Sequence, residues 1–280
     1  MKNSLKNKAK QYWKDFRFNL SASENLLFIN FYKHLYQPKK GSIAEFLSEY
    51  SLSKQGDFHV IQIGANDGIT NDPIHKFIKR DRWKGVLLEP QPDVYRNYLS
   101  KIYVKNKGLH TLCAAIGEKD GKQKLYKIGF STMRWATGLA SFSLEKLKEN
   151  FASGVVQKNC DRFGIEIPED PEKQITSEEV DVISPATLLE KFKITKINLL
   201  QIDAEGYDLE VIKIFEIEKT QPEAIITWRW AKSLSSAPEK QQLPVEKIWK
   251  RYFGSTSQQY QNGSFSSQLK LNFIQTFPEF

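Results

Sequence analysis

His59-Val60-Ile61-Gln62-Ile63-Gly64-Ala65-Asn66-Asp67-Gly68 is the stretch on which the fold turns. Its mostly apolar first half reads as a strand. The glycines that follow let the chain turn tightly and let its backbone approach a ligand closely. Outward from this point the pattern alternates. Strand-like segments occupy 59–64, 85–89, 110–115, 196–202 and 224–228, with amphipathic segments at 73–79, 94–103, 185–192 and 208–215. Such alternation predicts a mostly parallel central sheet with helices on both faces, a Rossmann-like α/β fold. Asp72 is placed to cap the helix from 73, and Pro73 suits its first turn.

The flanks read differently. Residues 1–57 form an N-terminal helical extension, and 58–280 the Rossmann-like domain. Ser21 and Glu24 have capping-box spacing just before Leu26, Leu27, Phe28 and Ile29. Phe31, Tyr32, Leu35 and Tyr36 continue that run until Pro38 and Gly41 break it. This aromatic helix suits a lid or a dimer contact, but the pattern favours packing on the main domain. Residues 129–180 contain Gly138, Gly154, Gly164, Pro168 and Pro171 with little periodicity, and read as an insertion or lid. After 230 come a Ser/Pro loop, a helix near 245–252 and a strand-like 269–277.

Composition excludes several classes. The chain of 280 residues is 40% hydrophobic and 26% charged, which is ordinary for a globular protein. No apolar run approaches the roughly 18 residues of a membrane span. Residues 1–14 are rich in Lys and Asn and lack the apolar stretch of a secretory signal. Cys113 and Cys160 form no Cys-x-x-Cys pair, so neither a disulfide framework nor zinc is indicated, and a reducing cytoplasm is the default compartment. The net charge is +8, yet no block of five basic residues occurs. The lysines read as spread along the chain, so the charge argues little for any partner.

In an open α/β sheet, ligands gather beyond the carboxyl ends of the strands, where strand order reverses. The first strand runs into Gly64–Gly68. The second ends in Glu89, followed by Pro90, at the separation where a carboxylate accepts from a ribose diol. Counting a dinucleotide G-x-G-x-x-G from Gly64 lands on Asn66 and Ile69, so that fingerprint fails. Asp67 would also set a negative charge where pyrophosphate lies, whereas a cofactor bearing an amino acid has an ammonium group that tolerates it. The fourth strand ends in Gln201-Ile202-Asp203-Ala204-Glu205-Gly206-Tyr207-Asp208, three carboxylates and a tyrosine beside the same crevice. Helix capping explains Asp208 equally well, and explains Asp203 less well.

Four segments in order carry a resemblance: Gly64-Ala65-Asn66-Asp67-Gly68, Leu88-Glu89-Pro90, Ala114-Ala115-Ile116-Gly117 and Ile202-Asp203-Ala204-Glu205-Gly206-Tyr207. Over about 58–230 the chain resembles FkbM-type methyltransferases. The resemblance implies a class I S-adenosylmethionine-dependent enzyme of a family that mostly O-methylates hydroxyls of natural products and sugars. It implies that Gly64, Asn66 and Gly68 shape the methionine pocket and that Asp67 faces its polar groups. Glu89, with Pro90, would hold the ribose, and Ala114 and Ala115 would line the adenine site. Asp203 and Glu205 would lie near the transferred methyl, Asp203 also touching the cofactor. The sequence departs from the family pattern at Ala204, where Val is usual, at Thr187-Leu188-Leu189, and at Ile225-Ile226-Thr227-Trp228-Arg229-Trp230, which lacks a terminal acid.

The remaining candidates are weaker. His75 could act as a base, but its place in a first turn reads as surface. Trp135, Trp228 and Trp230 could stack on an acceptor or simply be buried, and Arg134 and Arg229 beside them suit an anionic acceptor. The reading is thus a methyltransferase for a small molecule, natural product or glycan, with Asp203 or Glu205 taking the hydroxyl proton. A divalent metal on those carboxylates ranks lower, because no third ligand is evident. An RNA methyltransferase is the alternative, favoured by the charge and aromatics, although no RNA-binding module is recognisable. A non-catalytic scaffold is the third reading. The intact glycine loop and Glu89 stand against it.

Overall fold

The structure is a computed structural model, and it describes residues 2–204, 207–227 and 272–275. The described strands are β1 (His59–Ile63), β2 (Lys84–Leu88), β3 (Leu109–Leu112), β4 (Ala115–Ile116), β5 (Gly121–Ile128), β6 (Ile175–Ile183), β7 (Leu199–Ile202), β8 (Ala224–Thr227) and β9 (Asn272–Gln275). Six of them form one parallel sheet in the order β3-β2-β1-β7-β8-β9. The chain moves outward from β1 to β3 and returns to β7 on the other side of β1. Strand order therefore reverses between β1 and β7, and that reversal positions the site. β1, β2, β7 and β8 are buried along nearly their whole length. Burial on both faces is why they read as continuous apolar runs rather than as an alternation.

Each face has its own core. Val60, Leu87, Leu199 and Ile226 pack against Phe46, Phe77 and Trp83 on one side. Ile61, Val86, Leu200 and Ile225 pack against Leu188, Val211 and Phe215 on the other. Trp83 is wholly buried, stacks on Phe58 with ring centroids 4.0 Å apart, and donates its indole N–H to Ser51 Oγ at 2.6 Å. Ser51 belongs to α3 (Ile43–Ser53), so this hydrogen bond also ties the N-terminal segment to the sheet.

The capping-box expectation at Ser21 is corrected. α1 runs through Lys2–Ala22, so Ser21 lies inside a helix and is buried, with its hydroxyl 3.1 Å from His75 Nε2. The cap of α2 (Leu26–Asn30) is Asn25, whose side chain accepts from Leu27 N and Phe28 N. Glu24 is drawn instead to Arg82 at 2.5 Å. The aromatic run continues as one π-helical turn, Phe31–Leu35. Ile29 and Tyr32 of this stretch are buried, while Leu26, Leu27 and Phe31 are exposed. α4 spans His75–Asp81, and Asp72 Oδ1 accepts from Ile74 N and His75 N at its start.

Residues 129–180 are not irregular throughout. β6 closes a second, three-stranded sheet in the order β4-β6-β5, antiparallel to β5 over its length. β6 is Ile-Thr-Ser-Glu-Glu-Val-Asp-Val-Ile, and most of its side chains reach solvent. A strand with so few buried positions shows little apolar periodicity. Between β5 and β6 lie the helices Arg134–Thr137, Leu144–Ala152, Val155–Phe163 and Pro171–Gln174, around a small core of Leu139, Leu147, Val156 and Cys160. The expected helix at 245–252 lies outside the described residues. Of the expected 269–277 strand, 272–275 is β9.

Candidate cofactor site

The loop after β1 is built by contacts that only its residues permit. Gly64 has φ +78°, and a Cβ there would stand 2.1 Å from the backbone oxygen of Asp203. The tips of β1 and β7 thus meet so closely that no side chain fits. Asp203 N donates to Ile63 O at 2.9 Å, and Gly64 N and Ala65 N both donate to Leu88 O. Asn66 takes a left-handed φ of +46°, where Asn is among the better-tolerated residues.

That conformation aims Asn66 N–H at Glu89 Oε2, 2.8 Å away. Glu89 Oε1 accepts from Gln91 N at 3.0 Å and from Gln91 Nε2 at 3.1 Å. The carboxylate is 2% exposed. Burial pushes its pKa up to about 7, against the opposing pull of these hydrogen bonds and of the nearby Arg134 guanidinium.

A cavity of about 460 Å³ opens beside Glu89, a size within the range of small-molecule sites. Its floor includes Gly64, Asn66, Pro90, Ala114, Ala115 and Asp203. Its cover comes from the insertion between β5 and β6: Arg134, Thr137, Ser141, Phe142 and Lys146 face the same space. The cover is fastened at Thr137, whose carbonyl accepts from Gln91 Nε2 at 3.0 Å and whose hydroxyl lies 3.5 Å from Asn66 Nδ2. Arg134 Nε is buried with no hydrogen-bond partner among the described residues. A donor left so needs an acceptor from ordered water or from a ligand.

The structure gathers Gly64, Asn66, Glu89, Pro90, Ala114, Ala115 and Asp203 around one cavity. It sends other candidates elsewhere. Asp67 is not among the lining residues. Its Oδ1 accepts from Ile69 N and Thr70 N, and its Oδ2 meets Lys14 Nζ at 3.1 Å. Gly68 faces the core, where a Cβ would press on Ile102, Tyr103 and Leu99 at 3.0–3.1 Å. Both serve the loop's shape and not its open face. Asp208 Oδ1 accepts from Ala204 N at 3.2 Å, bracing the turn after β7.

Glu205, Trp228, Arg229 and Trp230 lie outside the described residues. His75 is not a surface residue. It is buried between Ser21 and Tyr103, away from the cavity, and burial, with Lys79 adding to the effect, lowers its pKa to about 3. Trp135 packs against the insertion's own core. Sequence reasoning missed Gln91 and Thr137. A buried carboxylate at the strand tip needs donors, and Gln91, two residues on, is the nearest candidate.

Sheet order, the reversal between β1 and β7 and the site at their tips define a Rossmann-like α/β methyltransferase fold. The Methyltransferase FkbM domain matches residues 62–249, and the chain belongs to that family. Neither curated proteins nor solved structures give a match to this chain.

Proposed function

We propose that this protein transfers the methyl group of S-adenosylmethionine to a hydroxyl oxygen of a small molecule or glycan. The observation that carries the reading is the Glu89 carboxylate: buried at the tip of β2, held on both oxygens by Asn66 and Gln91, and open to a cavity that Asp203 also lines. The residues suit the cofactor's chemistry. Three of the four lone pairs of the Glu89 carboxylate are taken by Asn66 N, Gln91 N and Gln91 Nε2, and the one left on Oε2 suits a hydroxyl of a ribose. Ala114 and Ala115 are small and apolar, as a flat purine requires.

When bound, the cofactor supplies a sulfonium methyl that needs no further activation. The chain's own residues do the rest. Asn66 and Gln91 hold Glu89 in one rotamer, and Gly64 keeps the β1 and β7 tips in contact. The cover from 134 to 149 excludes water. Asp203, at the tip of β7, lines the cavity and would take the proton of an acceptor hydroxyl held there. Arg134 offers its Nε to an acceptor atom of the ligand.

Calorimetry with S-adenosylmethionine, its demethylated product and NAD tests the cofactor. Heat from NAD alone would sink the reading. Incubation with labelled cofactor and fractionated small-molecule and glycan extracts tests the acceptor, and label appearing only in RNA or protein would overturn that half.

A further inference from the structure

The basic residues are spread along the chain, but acidic ones are scarce at its N-terminal end, so the net positive charge gathers there. Residues 1–44 contain nine Lys and Arg against two Asp and Glu, so they hold seven of the eight net positive charges. The same segment carries most of the exposed apolar surface. Of eleven large hydrophobic side chains exposed among the described residues, seven lie between 12 and 35.

α1 carries apolar side chains on both sides: Phe18 packs inward on the core and against Tyr98, as the apolar stripe of a surface helix does, and a second apolar group faces out. Polar side chains on its inner side reach the domain: Lys14 pairs with Asp67, and Ser21 meets His75. Its outer side presents Tyr12, Trp13 and Phe16, which are 75%, 61% and 52% exposed. The next helical stretch repeats the arrangement. Ile29 and Tyr32 point inward, while Leu27, Phe31 and Leu35, four residues apart, are 81%, 47% and 71% exposed.

Large apolar side chains gathered in this way mark an interaction surface. Leucines add little to nucleic-acid binding, which rests on phosphate neutralisation and on stacking. A second copy of this chain would set two strongly positive segments face to face, and like charge opposes such a symmetric contact. Tryptophan, tyrosine and leucine flanked by lysines, here Lys6, Lys8 and Lys10 before them and Lys39 and Lys40 after, are instead the make-up of a segment that lies in the headgroup layer of an anionic membrane. We infer that residues 12–35 seat the protein on the surface of an anionic lipid bilayer. The attachment is peripheral, since no helix among the described residues is long and apolar enough to cross. Lys14 of α1 also pairs with Asp67, so the helix that carries the lipid face braces the loop after β1.

The test is sedimentation of the full chain with vesicles of phosphatidylcholine alone and with a roughly 2:1 mixture of phosphatidylcholine and phosphatidylserine. Binding to the mixed vesicles should be at least about tenfold tighter and should weaken steeply with salt. The triple change Trp13→Ser, Phe16→Ser and Leu27→Ser should weaken it by about tenfold or more. The melting temperature should stay put, because all three side chains are exposed. No pelleting with mixed vesicles, equal pelleting with both lipids, or an unaffected triple variant would each overturn the inference. So would tighter binding to a homopolymeric RNA, or a dimer by light scattering that the triple variant disperses while vesicle binding is absent.

Discussion

Replacing Glu89 by Gln separates what the carboxylate does for the fold from what it does for the ligand. In the wild type three N–H groups point at its two oxygens. The amide of Gln can face only one side as an acceptor, so its NH₂ opposes either Asn66 N–H or Gln91 N–H. One charge-assisted hydrogen bond is lost and a buried donor is left unmet, at about 1–3 kcal/mol each. Ionised Glu89 has a cost of its own. Its folded pKa is raised from 4.5 to about 7, so the folded state holds the proton more tightly than the unfolded one. That contribution to stability is fully present below pH 4.5 and is lost as pH rises through 7, on the order of 3 kcal/mol in all.

Urea melts across this window should show wild-type stability falling with pH and E89Q lacking most of that fall. Ligand binding should run the other way. A ribose diol donates to the ionised carboxylate, so the proposed cofactor binds more tightly as pH rises towards and just past 7, releasing a proton. E89Q should bind it about tenfold to a hundredfold more weakly. Calorimetry in two buffers of different ionisation heat reads the proton directly. Affinity independent of pH between 6 and 8 with no proton release, or wild-type affinity in E89Q, would refute the reasoning.

Gly64→Ala should cost more than about 3 kcal/mol, because a left-handed φ is combined with a Cβ pressed on the Asp203 carbonyl; a melting temperature within about two degrees of wild type would show that the strand tips part easily. Asp203→Asn should remove most turnover while stability and cofactor affinity stay near wild type, since Asn caps and braces a turn about as well as Asp. Turnover equal to wild type would leave Asp203 with a structural role only. His75 has a folded pKa of about 3, below its usual 6.5, so its contribution is present above 6.5 and is lost as pH falls towards 3. His75→Phe should flatten that acid loss while lowering stability near neutrality by about 1–3 kcal/mol, through the hydroxyl of Ser21 left unpaired; parallel pH profiles for both proteins in urea melts would be the contrary result. Hydrogen exchange in 134–149 should slow on cofactor binding, and no change there would detach the cover from the site.

Much of the site was legible because backbone geometry and chemistry leave local traces. Gly64 and Asn66 stand where φ must be positive, and Glu89 stands at a strand tip. What was illegible depended on distant partners. Ser21 and Glu24 have the spacing of a capping box, yet His75 and Arg82, more than fifty residues away, take their side chains. Asp67 looked like a cofactor ligand, and Lys14 of α1 turns it the other way. β6 was hidden because a strand in a small, half-exposed sheet needs few apolar residues.

The sequence by itself determined the parallel sheet and the residues around its reversal point. Apolar runs and turn glycines act through neighbours in the chain, and those are the same in any context. Only the tertiary structure decided which carboxylates face the cavity, what covers it, and that Tyr12, Trp13 and Phe16 of α1 face outward. Those outcomes depend on which groups compete for each buried donor and acceptor, and the competitors come from elements far apart in the chain.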